Sequence, residues 1–229
     1  MTQSNHYGQA TAALVNEVYA SGVQRAVLLL RHSARTFEPG IHDLLNPLTD
    51  HGRDLCRQLG LALPKELRLR GYASPPERCM ETAQLVIKAH QAGGGDGGRT
   101  RPVEALGVFY ALDQQKMWKG LSQADGLADY VSQWFAGNVP IDAMMPAELA
   151  VQMVLRALKG KLSEASEGPQ LDLCVTHDMT VYTVRHGVGL ESLDGPKVEY
   201  LDGLMLFERD GRLWLRSQHG GEIEITSRV

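Results

Sequence analysis

The feature that most constrains the fold is a short apolar run near the N-terminus that stops abruptly at a cluster of polar side chains. The run is Ala26-Val27-Leu28-Leu29-Leu30, the core of a predicted strand from Val23 to Leu30. It shows no alternation of apolar and polar residues, which is typical of a strand buried on both faces. Strands of this kind occur in parallel sheets that are covered by helices on both sides. The run therefore predicts an α/β protein.

Helical and strand patterns alternate along most of the remaining chain. Further strands are predicted at 67–73 and 171–176, and the chain is predicted to end in a hairpin of strands 198–209 and 213–217 that turns at Asp210-Gly211. Helices are predicted over 9–22, from Thr49 or Asp50 to about Leu63, after Ser74 as the capping residue, from Pro146 onward, and from about Met179 to His186. This alternation predicts a three-layer α/β/α sandwich with a mostly parallel central sheet.

The middle of the chain is harder to interpret. Residues 93–102 are rich in glycine and are predicted to form a flexible connector, and a short strand is predicted at 103–106. Residues 107–145 are predicted to form a cap or insertion with helices near 121–136. Because no break in composition separates two units, we expect residues 1–229 to form a single domain that carries this cap.

Composition and charge exclude several classes of partner. The formal net charge is −4 and no basic tract is present, so we expect no nucleic-acid partner. The apolar run is far shorter than the ~20 residues needed to span a bilayer, and no secretory signal is visible. Three widely separated cysteines, Cys56, Cys79 and Cys174, are predicted to be buried free thiols in a cytoplasmic protein. The oligomeric state stays open.

Three polar clusters follow the predicted strands, where ligands bind in open α/β sheets. They contain Arg31, His32 and Arg35 after the first strand, Arg78 after the second, and His177 with Asp178 after the strand at 171–176. We expect these side chains to meet in one crevice.

The chemistry that matches this set is phosphoryl transfer through a histidine. Guanidinium groups pair with the oxygens of a phosphate dianion and keep their charge. The helix that begins near Asp178 adds backbone N–H donors and the positive end of its dipole. An imidazole held among arginines stays neutral, and neutral imidazole is a nucleophile. Asp178 is the predicted general acid for the leaving alkoxide. The expected partner is thus a small phosphorylated substrate.

The same residues resemble a known family. VLLLRHSAR resembles the strand-plus-RHGxR signature of the histidine phosphatase superfamily, and LTDHGRDLCRQLG is similar to its L-T-x-x-G helix. ASPPERCMETA is similar to its S-S-P-x-x-R segment, and VTHD to its second histidine motif, in the same order along the chain. The superfamily includes the histidine acid phosphatases and the phosphoglycerate-mutase-like enzymes.

This resemblance implies roles for individual residues and a phosphoglycerate mutase-like fold. His32 would be the phosphorylated nucleophile, and Arg31, Arg35, Arg78 and His177 would hold the phosphoryl group. Asp178 would be the proton donor, as in the acid-phosphatase branch. The mutase-like branch uses a glutamate instead, for which Glu104 is the alternative here, outside the usual Leu-x-Glu context. The implied activity is a metal-independent phosphatase without a cofactor.

Alternatives remain open at this point. The superfamily usually has glycine where this chain has Ser33, so a non-catalytic phosphate-binding or regulatory protein is one alternative and a phosphomutase is another. His177-Asp178 also matches the H-D dyad of dinuclear-metal phosphohydrolases, but the dyad directly follows a strand and the histidines lack metal-ligand spacing, so no metal site is predicted. His42 and His51 are predicted to edge the pocket, and Trp118 and Trp134 to line the cap or pack inside it.

Overall fold

The helices and strands are placed by a computed structural model that describes residues 6–38, 40–164 and 167–226. The strands are β1 Arg25–Arg31, β2 Arg68–Ala73, β3 Asp96–Pro102, β4 Gln170–Thr176, β5 Gly203–Arg209, β6 Arg212–Ser217 and β7 Glu222–Glu224. The helices are α1 Gln9–Ala20, α2 Asp50–Ala62, α3 Glu77–Ala92, α4 Gln114–Gln123, α5 Gly126–Phe135, α6 Ala147–Leu162 and α7 Asp178–Gly187. Short 3-10 helices lie at Asp43–Leu45 and Glu104–Leu106.

All seven strands form one sheet in the order β3-β2-β4-β1-β5-β6-β7. The first four strands in this order are parallel, whereas β5, β6 and β7 run antiparallel to their neighbours. Strand β1 lies inside the sheet, with Leu28 opposite Leu173 of β4 and Met205 of β5. The predicted α/β class and the largely parallel sheet are confirmed.

The apolar run of β1 supplies both faces of the sheet. Val27 and Leu29 belong to a core formed largely with α4, α5, α6 and α7, whereas Leu28 and Leu30 belong to a second core formed with α1, α2 and α3. All four side chains are fully buried. Two helical layers thus enclose the sheet, as the unalternated run predicted.

The helix after the first polar cluster is fixed to that cluster by its own first turn. The Thr49 hydroxyl accepts the amide of Gly52 at 2.9 Å and caps α2. A Cβ at Gly52 would lie 2.1 Å from the carbonyl oxygen of Ala34, so only glycine permits this approach. The glycine of the LTDHG segment therefore lets α2 pack directly against the chain that follows His32.

The predicted connector at 93–102 and the predicted strand at 103–106 are both wrong. Residues 96–102 form β3, an edge strand that pairs with β2, and the following residues form a 3-10 helix. A Cβ at Gly97 would lie 2.6 Å from the Ile87 side chain, so the glycine allows β3 to lie close to α3. Because the strand lies at the sheet edge, its mostly polar side chains remain exposed and give no apolar signal.

The helices and the C-terminal hairpin also differ in detail from the prediction. The helical part of 107–145 consists of two helices, 114–123 and 126–135, separated where Gly126 adopts a φ of 89°. In the hairpin, the first strand begins at Gly203 rather than at residue 198, and β7 adds a third antiparallel strand. Leu201, just before that strand, has a positive φ of 60°, which is incompatible with an extended strand there.

The three cysteines are buried and free, as predicted. Across the described ranges, no helix combines the length and the apolar character required to traverse a lipid bilayer.

Candidate active site

The polar clusters meet in a cavity of about 410 Å³ at the carboxyl ends of β1, β2 and β4. All six residues predicted from the sequence line this cavity: Arg31, His32, Arg35, Arg78, His177 and Asp178. Parallel strands bring the residues that follow them to the same edge of the sheet, which explains how His32 and His177 meet although they lie far apart in the sequence. The roles of the six residues stay predictions.

His32 lies at the end of β1 and is almost completely buried. Its Nδ1 lies 2.8 Å from the carbonyl oxygen of Ser33, so Nδ1 carries the proton and donates it to that acceptor. Nε2 then carries the lone pair and accepts a hydrogen bond from Nε of Arg78 at 3.2 Å. Burial, followed by the nearby His177 and Arg78, lowers the pKa of His32 well below its ordinary value. The ring is therefore neutral at neutral pH.

Arg78 and His177 stand beside His32. Arg78 lies in the first turn of α3, is 2% exposed, and places Nη2 3.4 Å from Nδ1 of His177. The rings of His177 and His32 meet edge to face at 5.6 Å between centroids. Burial and then the charge of Arg78 lower the pKa of His177 to about 4. Two neutral imidazoles thus flank one buried guanidinium.

Arg31 links the cluster around His32 to Asp178. Its Nη2 pairs with the carboxylate of Asp178 at 2.9 Å, and its Nη1 donates to the carbonyl oxygen of Val198 at 2.8 Å. The guanidinium lies over the ring of Tyr200, 4.2 Å from the centroid, a cation–π contact that fixes its plane. The second oxygen of Asp178 accepts the backbone N–H of Met179 at 2.8 Å. That N–H, in the first turn of α7, is consequently already bonded within the chain.

Asp43 is the site residue that sequence reasoning missed. Its carboxylate pairs with Arg35 at 2.5 Å and with Arg78 at 3.0 Å, and its carbonyl oxygen accepts Nη1 of Arg78 at 2.7 Å. It occupies the 3-10 helix within the loop between β1 and α2. An anion therefore already bridges two of the arginines that the resemblance assigns to phosphate. Nothing in the sequence distinguishes Asp43 from Glu38, because both acids lie in the same irregular segment between β1 and α2.

Two serines near His32 and His177 have structural partners. The Ser33 hydroxyl donates to the carbonyl oxygen of Gly52 at 2.8 Å, away from the cavity, so the serine leaves the site unobstructed. Ser74 was predicted to cap α3, and this is wrong, because the cap position is Pro76 and α3 begins at Glu77. The Ser74 hydroxyl instead lies 3.0 Å from Nε2 of His177. It orients the second histidine.

The remaining sequence candidates divide between the cavity and other places. His42 and Trp118 line the cavity, whereas His51 lies on α2 outside its lining, and Trp134 is buried in the core. Glu104, the alternative proton donor, is exposed and outside the cavity lining. Within residues 6–38, 40–164 and 167–226, no group of three or more His, Cys, Asp or Glu side chains has the arrangement of a metal site.

The Asp43→Asn variant is expected to bind inorganic phosphate about tenfold more tightly than the unmodified protein. In the unmodified protein, the carboxylate of Asp43 competes with a phosphate oxygen for Arg35 and Arg78, and it also repels the dianion at short range. The competitive inhibition constant of phosphate, or its dissociation constant by calorimetry, measures the effect. Asp54→Asn, on the exposed surface of α2, is the matched control. Weaker binding by Asp43→Asn would contradict the prediction and show that Asp43 mainly holds the arginines in place.

Comparison with known proteins supports the fold. No protein-family model matches the chain, and no curated protein matches it. Among solved structures, phosphoglycerate mutase from Bacillus anthracis is 20% identical with a TM-score of 0.56, covering 84% of this chain and 91% of that one. A putative alpha-ribazole-5'-P phosphatase from Escherichia coli is 16% identical with a TM-score of 0.50, covering 84% and 95%. A mycobacterial hydrolase is 15% identical with a TM-score of 0.54, covering 89% and 93%. The chain therefore has the phosphoglycerate mutase-like α/β fold.

Proposed function

We propose that this chain is a metal-independent phosphatase of the histidine phosphatase superfamily that hydrolyses a small-molecule phosphate monoester through a phosphohistidine intermediate. The four ordered motifs, the fold shared with a mutase and a putative phosphatase, and the geometry around His32 support this proposal. The three buried free thiols are consistent with a reducing compartment, so we place the enzyme in the cytoplasm.

One observation carries the proposal: Nε2 of His32 holds a lone pair at the inner end of the cavity. The Ser33 carbonyl fixes the proton on Nδ1, and Nε of Arg78 lies 3.2 Å from Nε2. An arginine donor so close to the nucleophilic atom is suited to bind an oxygen of the phosphoryl group that His32 attacks. The lowered pKa of His32 keeps the lone pair available.

In the first step, Nε2 of His32 attacks phosphorus and the bond between phosphorus and the ester oxygen breaks. Arg31, Arg35, Arg78 and His177 stabilise the charge on the phosphoryl oxygens. Asp178, which takes up a proton from solvent once the phosphoryl group displaces its carboxylate from Arg31, gives that proton to the departing alkoxide, which leaves as an alcohol. A bound phosphoryl oxygen would compete with the Asp178 carboxylate for Arg31, the ion pair seen at 2.9 Å.

In the second step, water attacks the phosphohistidine. Asp178 takes one proton from the water, the bond between His32 and phosphorus breaks, and orthophosphate is released with His32 restored. The cycle needs no metal or redox partner, because the guanidinium groups supply the positive charge. A phosphomutase would instead pass the phosphoryl group to an alcohol, and a binding protein would retain the ester unchanged.

Incubation with an aryl phosphate, with and without a chelator, tests the proposal. We expect hydrolysis that persists in chelator, and a peptide containing His32 that gains one phosphoryl group when the reaction is quenched early. Loss of activity in chelator would favour a metal-dependent route. Transfer to an added alcohol without release of orthophosphate would favour a mutase, and the absence of any turnover would favour the binding protein.

A further inference from the structure

We infer that the alcohol part of the substrate is apolar and uncharged, so that the preferred ester is an alkyl or aryl monophosphate rather than a sugar phosphate or a second anion. The inference rests on the proposed function in one respect: it assigns the inner end of the cavity to the phosphoryl group. The outer part of the cavity then receives the rest of the molecule.

The outer wall of the cavity is one face of α4. Gln114, Met117, Trp118 and Leu121 line the cavity, and their spacing of three and four residues places them on the same side of the helix. Three of these four side chains are largely apolar. A helix that turns such a face towards a cavity, rather than only towards the core, offers apolar contact area to whatever occupies that cavity.

The residues around α4 extend the same surface. Between positions 108 and 127, the other cavity-lining residues are Val108, Ala111, Ala124, Gly126 and Leu127. The amide of Gln114 and the indole N–H of Trp118 are the only hydrogen-bonding side-chain groups in this part of the lining. A sugar with several hydroxyl groups would lose its hydrogen bonds to water here without replacing them, which is costly.

The two lysines of α4 do not line this cavity. Lys116 and Lys119 of α4 line a separate cavity on the other side of the helix, and Lys116 pairs there with Asp142. Among the described residues, the lysines and arginines that line the site are Arg31, Arg35 and Arg78. Arg35, whose guanidinium lies towards Phe37, is already paired with Asp43. A second phosphate or a carboxylate on the substrate would therefore enter the outer part without an unpaired cation.

The apolar surface continues beyond the cavity mouth. Trp118 also borders a shallower depression, whose apolar side chains are Phe37, Ile41 and Leu112 and whose polar ones are His42, Asp43, Asp113, Gln114 and Gln115. These three apolar side chains are 73%, 43% and 57% exposed, which is an unusual concentration for surface positions. A chain longer than the cavity would pass Trp118 and lie against them.

Binding of alkylphosphonates tests the inference without requiring turnover, because their carbon–phosphorus bond is not hydrolysed by this chemistry. Calorimetric titration of ethyl-, butyl-, hexyl- and octylphosphonate is expected to show the dissociation constant falling by about fourfold for each added methylene until the cavity is filled. The heat-capacity change of binding is expected to become more negative along the series. Glycerol 3-phosphate, which is polar, is expected to bind more weakly than butylphosphonate.

The Leu121→Asn variant connects the effect to the wall of α4. We expect it to weaken octylphosphonate binding by about tenfold, with ethylphosphonate binding unchanged, because Leu121 lines the cavity on the α4 side, which only the longer chain would reach. Leu149→Asn is the matched control, since Leu149 is 45% exposed on α6 and lies outside the cavity lining. Thermal unfolding of both variants separates lost binding from lost folding.

Each result has a distinct meaning for the two proposals. A chain-length dependence without hydrolysis of any ester supports the apolar site and contradicts the phosphatase. Two results contradict the apolar site but not the phosphatase. One is hydrolysis of aryl phosphate together with phosphonate dissociation constants that do not change with chain length. The other is tighter binding of glycerol 3-phosphate than of butylphosphonate. Failure of every phosphonate to bind also contradicts the apolar site.

Discussion

The His32→Ala variant is expected to lose at least about 10,000-fold in kcat/KM for an aryl phosphate, and to form no phosphoenzyme. Nε2 of His32 is the atom that bonds to phosphorus, so its removal leaves only phosphate binding and electrostatic stabilisation at the site. Steady-state kinetics measure the first effect. Mass spectrometry of the quenched protein measures the second.

Two measurements separate lost chemistry from lost folding in this variant. Arg31, Arg35 and Arg78 remain, so the variant should still bind inorganic phosphate. His186→Ala, a partly buried histidine on α7 outside the cavity, is the matched control and should keep most of the activity. A His32→Ala protein that retained the full rate would rule out the phosphohistidine route.

The pH dependence of the unmodified enzyme follows from the same residue. Because burial and the neighbouring His177 and Arg78 lower the pKa of His32, the imidazole stays unprotonated below pH 6.5. The acidic limb of kcat/KM is therefore expected well below pH 6.5, where protonation of Nε2 removes the nucleophile. An acidic limb centred above pH 6.5 would contradict this description of the site.

The parts of the fold that the sequence predicted are those with a strong local signal. The buried strands β1 and β4 were predicted from apolar runs, and the chemical motifs directly follow them. The edge strand β3 has no such run. Its residues are mostly glycines and exposed polar side chains, because the strand packs on one side only. The pattern of apolar residues in a sequence reflects burial, so a strand that is scarcely buried gives little signal.

The same reasoning explains which parts of the site were missed. Arg31, His32, Arg78 and His177 sit at fixed distances from strand or helix ends, so the topology alone brings them together. Asp43 reaches the arginines through an irregular loop, whose path no sequence pattern encodes. Ser74 has the residue type of a helix cap, but two prolines delay the helix and leave its hydroxyl facing His177.

The second large effect is expected from Asp178→Asn and depends on the leaving group. For an alkyl phosphate, whose alkoxide needs a proton to depart, we expect kcat to fall by about 1,000-fold. For p-nitrophenyl phosphate, whose phenolate leaves without a proton, we expect a loss below about tenfold. Asparagine keeps the size of the side chain and an oxygen for the Met179 amide, but it removes both the exchangeable proton and the charge that pairs with Arg31. The loss of charge affects both substrates alike, so the difference between them reports the proton.

Two further carboxylates provide the comparison that identifies the proton donor. Glu104→Gln alters an exposed residue outside the cavity and should leave kcat unchanged for both substrates. Asp43→Asn alters the other acid of the cavity and should change phosphate affinity without a dependence on the leaving group. If the leaving-group dependence appeared in either of these variants and not in Asp178→Asn, the proton would come from that residue. Asp178 would then act only as the partner of Arg31.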